Sequence, residues 1–210
     1  MFEARFISIE GIEGAGKSTA LEFIKKYLAE KHIDAIFTRE PGGTPFAEEI
    51  RFLLLHAKTE EFIQAKTELL MMFAGRSQHL SHCILPALRA GKWVVSDRYI
   101  DATYAYQGGG RGMDQKLIQL LDAAVVEHIY PQLTLLFDID AAEGLKRAAK
   151  RGAQDRIEQE AMGFFDRVRQ AYLLRAQAFP ERIKVIDASA PLAVVENNIR
   201  HLLDKFVMHA

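Results

Sequence analysis

The residues with the clearest chemical potential form one short segment, residues 11–18, which reads Gly-Ile-Glu-Gly-Ala-Gly-Lys-Ser. It matches the pattern G-x-x-x-x-G-K-[ST] and lies between a predicted strand and a predicted helix, as a phosphate-binding loop requires. Backbone N–H groups and the helix N-terminus would face one anion, while Lys17 adds a point charge and Ser18 a Mg²⁺ ligand. The segment therefore predicts ATP or GTP with Mg²⁺, bound by Gly11, Ile12, Glu13, Gly14, Ala15, Gly16, Lys17 and Ser18.

Phosphate-binding loops serve several classes of protein, and absent motifs narrow the choice. A GTPase switch would read guanine with Asn-Lys-x-Asp, but the only asparagines are Asn197 and Asn198, in a predicted C-terminal helix. A motor or transporter ATPase would carry an apolar strand ending in Asp-Glu, which residues 137–140 (Phe-Asp-Ile-Asp) only half fit. A small-molecule kinase needs an arginine-rich acceptor-phosphate site and a cover that excludes water.

The first candidate for an acceptor site is Asp97-Arg98 at the end of a predicted strand, 93–97. In an open parallel sheet, ligands gather outside the carboxyl ends of the strands, so both residues should lie beside the phosphate-binding loop. We expect Asp97 to hold a Mg²⁺-bound water and Arg98 to bridge the two phosphates.

The candidate for a cover is a basic run around a predicted helix at 141–151. Lys146, Arg147, Lys150 and Arg151 fall at helical spacing and are followed by Gly152 and by Asp155-Arg156. Stacked like charges repel, so a bound anion would compensate them; for Lys146 and Lys150, however, we favour the alternative of a solvated helix face. Arg151, beside a glycine, is expected to belong to a mobile lid at about 143–158.

Short β-rich runs alternate with helical patterns along the whole chain, which predicts an α/β fold with a parallel sheet. Several runs are almost wholly apolar, as in strands covered by helices on both faces. The predicted strands are 5–10, 35–38, 93–97, 133–140 and 183–187. The predicted helices are 17–31, 45–56, 66–90, 115–128, 141–151, 158–178 and 191–207.

Composition excludes several other classes. With 27 Lys+Arg against 28 Asp+Glu, the net charge of -1 gives no field for nucleic acid or a membrane surface. Cys83 is the only cysteine, so neither a disulfide framework nor a multi-thiolate zinc site is expected. No signal peptide is recognisable, and the longest apolar run, 69–74, is too short to span a membrane. These features predict one domain over 1–210 and a soluble, cytoplasmic protein without nucleic-acid or membrane partners.

Several motifs together give the sequence a family resemblance. They are residues 10–18, Thr38-Arg-Glu-Pro-Gly-Gly-Thr44, Phe73-Ala-Gly-Arg76, Asp97-Arg98-Tyr99, residues 105–112 and Asp155-Arg-Ile-Glu158. In order and spacing, along nearly the whole chain, they resemble the thymidylate kinase (dTMP kinase) family. The resemblance implies a P-loop kinase fold with a five-stranded parallel sheet, a homodimer, and transfer of the ATP γ-phosphoryl group to dTMP, giving dTDP.

The resemblance also implies roles for individual residues of the substrate site. Phe73 would stack on thymine and Arg76 would donate to a thymine carbonyl, although the apolar surroundings of Phe73 alone favour a core position. Thr103 would touch the pyrimidine edge, Tyr106 would lie against the deoxyribose, and Glu13 would accept from the 3′-hydroxyl. The dTMP phosphate would be held by Arg98 with help from Arg39, and the implied substrate residues also include Pro41 and Gln107.

One feature of the loop bears on the catalytic arginine. Some members of the family carry an arginine inside the loop, where this chain has Gly14, and then lack one in the lid. The resemblance therefore implies a lid arginine: Arg151 first, with Arg147 and Arg156 as further nucleotide-side candidates. An arginine placed at Gly14 is expected to rescue a lid variant in part, provided that the loop tolerates a side chain. Two alternatives stay open, a kinase for another nucleoside monophosphate and a P-loop ATPase without an acceptor.

Overall fold

The fold is built on a twisted sheet of five parallel strands in the order β2-β3-β1-β4-β5. The computed structural model describes residues 4–56, 61–150 and 155–208. The strands are β1 (Phe6–Glu10), β2 (Ala35–Arg39), β3 (Trp93–Asp97), β4 (Leu133–Asp138) and β5 (Ile183–Asp187). Ile9 of β1 lies opposite Asp97 of β3 and Leu135 of β4, so the carboxyl ends of the central strands meet at one edge.

Helices connect the strands and cover both faces of the sheet. They are α1 (Lys17–Glu30), α2 (Pro45–His56), α3 (Ala65–His79), α4 (Leu85–Arg89), α5 (Ile100–Thr103), α6 (Gln115–Val125), α7 (Ala141–Ala149), α8 (Met162–Ala178) and α9 (Leu192–Met208). In the part of the chain that the structure describes, no helix is both long and apolar enough to cross a bilayer.

Two apolar cores lie on opposite faces of the sheet, as strands with alternating side chains require. Ile7 and Ile9 of β1 point into a core with α1, α8 and α9. Phe6 of the same strand points into a second core with α3, α4 and α6. The buried strands thus form a rigid platform, and the loops at their carboxyl ends carry the polar side chains described below.

The predicted helix at 66–90 is interrupted. A wider π-helical turn, Leu80–Ile84, separates α3 from α4. Pro86 explains the break, because proline has no N–H for the carbonyl four residues earlier and its ring would clash with it. The predicted strand 133–140 also ends early, at Asp138, because the Asp140 carboxylate caps α7 by accepting from the N–H of Ala142 at 3.0 Å.

One helical segment was not predicted. After β3 the chain forms α5 and continues as a π-helical stretch, Tyr104–Gly110. Consecutive glycines, as at 108–110, are typical of turns. The reason for the helix is tertiary packing: a Cβ at Gly109 would approach the carbonyl oxygen of Arg167 on α8 to 2.9 Å, so these glycines permit close contact with that helix.

Candidate active site

The phosphate-binding loop lies between β1 and α1, as predicted. Gly16 precedes the helix in a left-handed conformation, with φ of +87°, which a side chain would strain. Lys17 turns back over the loop, and its Nζ donates to the carbonyl oxygens of Gly11 at 2.9 Å and Ile12 at 2.8 Å. Burial, together with the nearby Arg98, lowers the pKa of Lys17 to about 8. The lysine is therefore enclosed by the loop whose anion it is suited to bind.

The loop touches α7 through two glycines. A Cβ built at Gly14 would lie 1.9 Å from the carbonyl oxygen of Gly144, and Gly14 has a φ of +74°. A Cβ at Gly144 would in turn lie 2.6 Å from the carbonyl oxygen of Glu13. Backbone atoms cannot yield as a flexible side chain can, so an arginine at Gly14 does not fit while α7 keeps this position. The condition attached to a rescue, a loop that tolerates a side chain at position 14, is therefore not met in this arrangement.

Arg98 joins the end of β3 to the phosphate-binding loop. Its backbone is left-handed, with φ of +67°, which is uncommon for a residue with a side chain. Its Nη2 donates to Glu13 Oε1 at 2.6 Å and to the Tyr106 hydroxyl at 2.9 Å. The Tyr106 hydroxyl donates to the same carboxylate at 2.8 Å. Three residues predicted to bind substrate therefore form one cluster.

This cluster borders a pocket, which we call the arginine pocket. Its walls come from the phosphate-binding loop, the end of β3, helices α2, α3 and α5, the π-helical stretch and residues 155–157. Its lining residues are Glu13, Pro41, Arg51, Leu54, Leu55, Glu68, Met72, Arg98, Ala102, Tyr106, Gln107, Asp155, Arg156 and Ile157. Apolar walls with a few convergent polar groups are typical of a small-molecule site.

Several polar atoms in this region are buried without a hydrogen-bond partner among the described residues. They are Gln107 Oε1, Arg76 Nη1 and Thr103 Oγ1. Gln107 borders the arginine pocket directly, and Thr103 follows the pocket residue Ala102. Buried polar atoms left without a partner are costly, so these three are suited to bind a polar ligand.

Phe73 does not reach the pocket. Its side chain is only 2% exposed and packs in the second core. Leu69, Phe73 and Leu80 share the buried face of the α3 region, since residues four apart in a helix point the same way. Met72, about 100° around the helix from Phe73, lines the pocket instead. The stacking role expected for Phe73 is therefore corrected, and Met72 is the α3 side chain placed to contact a base.

Arg39 is likewise placed elsewhere. Its side chain is exposed, and its Nη2 donates to Glu48 at 2.7 Å beside a separate groove along β2. Arg51, which the sequence did not single out, lines the arginine pocket and donates to the carbonyl oxygen of Pro41 at 2.9 Å. Burial and the positive charges of Arg39 and Arg98 lower the pKa of Arg51, which indicates a region suited to an anion. No sequence motif marks it, since α2 also carries the charged residues Glu48 and Glu49.

Of the three arginines expected in the lid, Arg147 and Arg156 lie in different parts of the structure. Arg156 was expected on the nucleotide side, but it lines the arginine pocket, where its Nη2 donates to Glu68 at 2.5 Å. Arg147 lies on α7, pairs with Glu143 and donates to the carbonyl oxygen of Ala188 at 3.0 Å. Arg151 lies outside the described residues.

The oxygen donors expected for a metal ion are Ser18 and Asp97. Ser18 is exposed in the first turn of α1, and Asp97 at the end of β3 has a buried carboxylate oxygen, Oδ1, without a hydrogen-bond partner in the described part of the chain. Mg²⁺ prefers such hard oxygen ligands and commonly takes only one or two from protein, the rest from phosphate and water. The residues present therefore fit Mg²⁺. Within ranges 4–56, 61–150 and 155–208, no group of three or more His, Cys, Asp or Glu residues could hold a metal by itself.

Comparisons with known proteins agree with the motifs. Residues 9–199 match the family model described as Thymidylate kinase. The chain is 54% identical over 198 residues to a thymidylate kinase of Pseudomonas entomophila, covering 94% of each chain. It is 49% identical over 203 residues to one of Vesicomyosocius okutanii, covering 97% of this chain and 98% of the relative. A crystal structure of thymidylate kinase from Ehrlichia chaffeensis, 33% identical, superposes with a TM-score of 0.78 over 96% of this chain and 98% of that one.

Proposed function

The chain belongs to the thymidylate kinase family and catalyses ATP-dependent phosphorylation of dTMP to dTDP; on this premise we propose how its residues share the reaction. The observation that carries the assignment is the Glu13–Arg98–Tyr106 cluster. It joins the phosphate-binding loop to the arginine pocket through contacts of 2.6 to 2.9 Å. Donor and acceptor sites that share one carboxylate and one guanidinium are suited to direct transfer between two phosphates.

The arginine pocket is the proposed dTMP site. Arg98, Arg51 and Arg156 supply its positive charge, and guanidinium groups match the geometry of a phosphate. We place the phosphate nearest Arg98, because that side chain also contacts the loop expected to hold ATP. Pro41 borders the same pocket, while Arg39 lines the separate groove along β2 and is assigned no direct contact.

The sugar and base would occupy the inner part of the pocket. Tyr106 is proposed to pack against C2′ of the deoxyribose and Glu13 to accept from the 3′-hydroxyl. Met72 supplies the apolar contact for the thymine face. The unpartnered atoms of Arg76, Thr103 and Gln107 would pair with the polar edge of the base.

Phosphoryl transfer needs positioning and charge neutralisation more than covalent chemistry by the protein. The loop residues 11–18 would hold the ATP phosphates, with Lys17 beside the transferred group. Ser18 and Asp97 would hold Mg²⁺, which supplies charge neutralisation on the phosphate oxygens. Arg98 would align the acceptor phosphate, Arg151 is proposed as the catalytic lid arginine, and Arg147 would contact the nucleotide beside the segment after β5.

We also propose that residues 143–158, of which 151–154 lie outside the described residues, act as a lid over a single domain. Asp155 and Ile157 already border the arginine pocket, and Arg156 donates from its backbone N–H to the carbonyl oxygen of Leu55 at 3.3 Å. A lid that approaches both substrates would exclude water and prevent futile hydrolysis of ATP.

A homodimer is proposed from the exposed apolar side chains of α2, α3 and α6. Phe52, Leu53, Leu70 and Leu120 are all about half exposed or more, with Leu120 at 67%. On α3, Leu69 and Phe73 are buried, whereas Leu70 is exposed and available for an interface. Light scattering on a size-exclusion column tests this, and a monomer for both the native chain and Leu70→Glu would contradict it.

The substrate assignment is tested by ADP release from ATP with dTMP, dCMP, UMP or AMP as acceptor, and with none. We expect release to require an acceptor and to be fastest with dTMP. Fast release without an acceptor would indicate an ATPase instead, and faster release with another monophosphate would reassign the acceptor.

A further inference from the structure

Glu68, on α3, carries a role that no motif indicated. Its side chain is deeply buried, with 1% exposure, yet it borders the arginine pocket. Its carboxylate accepts from Gln107 Nε2 at 2.8 Å, from Arg111 Nη2 at 3.1 Å and from Arg156 Nη2 at 2.5 Å. All these partners lie on other parts of the fold, so Glu68 joins α3 to the π-helical stretch and to residues 155–157.

The carboxylate is ionised in this setting. Burial by itself would raise the pKa of Glu68, but hydrogen bonds from Gln107, Arg111 and Arg156 outweigh burial and lower it. An ionised carboxylate only accepts hydrogen bonds, whereas an amide has one donating end and one accepting end. The Gln107 side chain must therefore turn its nitrogen toward Glu68.

The consequence appears at the other end of the amide. Gln107 Oε1 is buried, has no hydrogen-bond partner among the described residues, and belongs to a side chain that lines the arginine pocket. With the nitrogen bound to Glu68, the amide cannot flip to offer a donor in its place. An amide held in this orientation can offer only an acceptor to a base that reaches its free end.

We propose that Glu68 is a positioning residue for base selectivity, which acts by holding the Gln107 amide with its oxygen toward the pocket. This proposal rests on the proposed function and deepens it. A fixed acceptor pairs with a base whose ring nitrogen carries a hydrogen, as in thymine and uracil. Cytosine presents a ring acceptor at that position, which would leave two acceptors facing each other. The orientation of the Gln107 amide would then favour thymine and uracil over cytosine.

The experiment compares dUMP with dCMP, two acceptors that differ only in the polar edge of the base. The ratio of their kcat/KM values is measured for the native chain, Glu68→Gln and Glu160→Gln. Glu160 is the matched control, because it also pairs with Arg111, at 2.5 Å, and lies away from Gln107 in the hydrogen-bond network. Any contribution of Arg76 to the ratio is common to all three proteins, so a change in the ratio reports on Glu68.

A glutamine at 68 can offer either end of its amide, so the Gln107 amide loses its fixed orientation. We expect the dUMP to dCMP ratio to fall by about tenfold or more in Glu68→Gln, through slower dUMP turnover and faster dCMP turnover. Glu160→Gln should keep the ratio within about twofold. Equal losses on both substrates in Glu68→Gln would show a merely structural role and overturn the proposal.

A double-mutant cycle tests the route through Gln107. In a Gln107→Leu background, Glu68→Gln should change the ratio no further, and an undiminished additional change would contradict the proposal. If Glu68→Gln does not fold, Glu68→Asp replaces it: its shorter carboxylate withdraws from the amide, so the ratio must fall although the charge remains. A native chain that does not use dTMP would refute the proposed function, while an intact dTMP activity with an unmoved ratio refutes only the role of Glu68.

Discussion

The arginines of the arginine pocket and Arg147 of helix α7 are held in opposite ways. Arg98 donates to Glu13, and Arg156 to Glu68, two carboxylates largely or wholly removed from solvent. Arg147, by contrast, pairs with Glu143 on its own helix, where the two side chains are 39% and 44% exposed. The buried pairs fix their guanidinium groups before a ligand arrives, which lowers the ordering cost of binding. An exposed pair contributes little and leaves its arginine free to re-pair.

We therefore expect substitutions of Arg151 and of Arg98 to have different kinetic effects. Arg151→Ala should lower kcat by about 10³-fold or more, the scale of a positioned arginine in phosphoryl transfer, while dTMP affinity stays nearly unchanged. Arg98→Ala should lower both kcat and dTMP affinity, because that group binds the acceptor before and during transfer. Steady-state kinetics with calorimetric dTMP binding would measure both.

Lys146→Ala, on the same segment, is the control for Arg151→Ala and should leave kcat and dTMP affinity nearly unchanged. Equal, small effects of these two substitutions would show that the basic run is only a helix surface. Arg147 would then be tested next as the catalytic group.

A second pair of substitutions tests where the acceptor phosphate binds. Arg51→Ala should weaken dTMP binding by roughly 10- to 100-fold, the loss expected for a partly buried charged hydrogen bond. Arg39→Ala removes the same kind of side chain from the exposed edge of β2 and should change the affinity less than about twofold. Binding calorimetry would measure both, and a larger effect at Arg39 would place the phosphate in the β2 groove.

Tyr106 provides a third test, of selectivity for deoxyribose. Its ring packs edge-on against Phe164 and Tyr172, at centroid distances of 6.1 and 6.2 Å, so its position is fixed. Tyr106→Ala should reduce the preference for dTMP over its ribose counterpart by about tenfold, because the space for a 2′-hydroxyl opens. Tyr106→Phe keeps the ring and should retain the preference. If Tyr106→Ala leaves the kcat/KM ratio unchanged, the ring is structural only.

A last prediction concerns the stability of the fold, through the buried charges of Glu40, Arg76 and His79. Glu40 accepts from Arg76 Nε at 2.7 Å, and its other oxygen lies 2.9 Å from His79 Nδ1. Burial by itself would lower the pKa of His79, but hydrogen bonds with Cys83 and Glu40 raise it to about 9. The charged histidine therefore stabilises the fold fully below pH 6.5, and this stability is lost as the pH rises through 9.

We expect the free energy of unfolding to fall by on the order of 3 kcal/mol between pH 6 and pH 10 through this residue. Urea denaturation of the native chain and of His79→Asn at both pH values isolates the contribution, because other groups titrate in both proteins. Parallel pH profiles for the two proteins would show that His79 is not charged in the folded state.

Sequence patterns predicted those parts of the site that depend on a local backbone motif. The phosphate-binding loop and Arg98 at a strand end follow from short segments and from the parallel order of the strands. Phe73 and Met72 illustrate the limit: adjacent apolar residues on a helix differ by about 100° in direction, and only packing decides which one faces the cavity. Arg51 and Glu68 carry no motif, since their roles depend on contacts between α2, α3 and residues 155–157, which are distant in sequence.

The contact between Gly14 and Gly144 has a consequence for how this enzyme can change over generations. A side chain at Gly14 needs space that exists only if α7 shifts away from Glu13 and Gly14. A shift of α7 alone would displace Arg147, which this helix carries, and a loop arginine alone would clash with the helix backbone. We therefore expect an arginine to become acceptable at position 14 only together with a second change that moves α7.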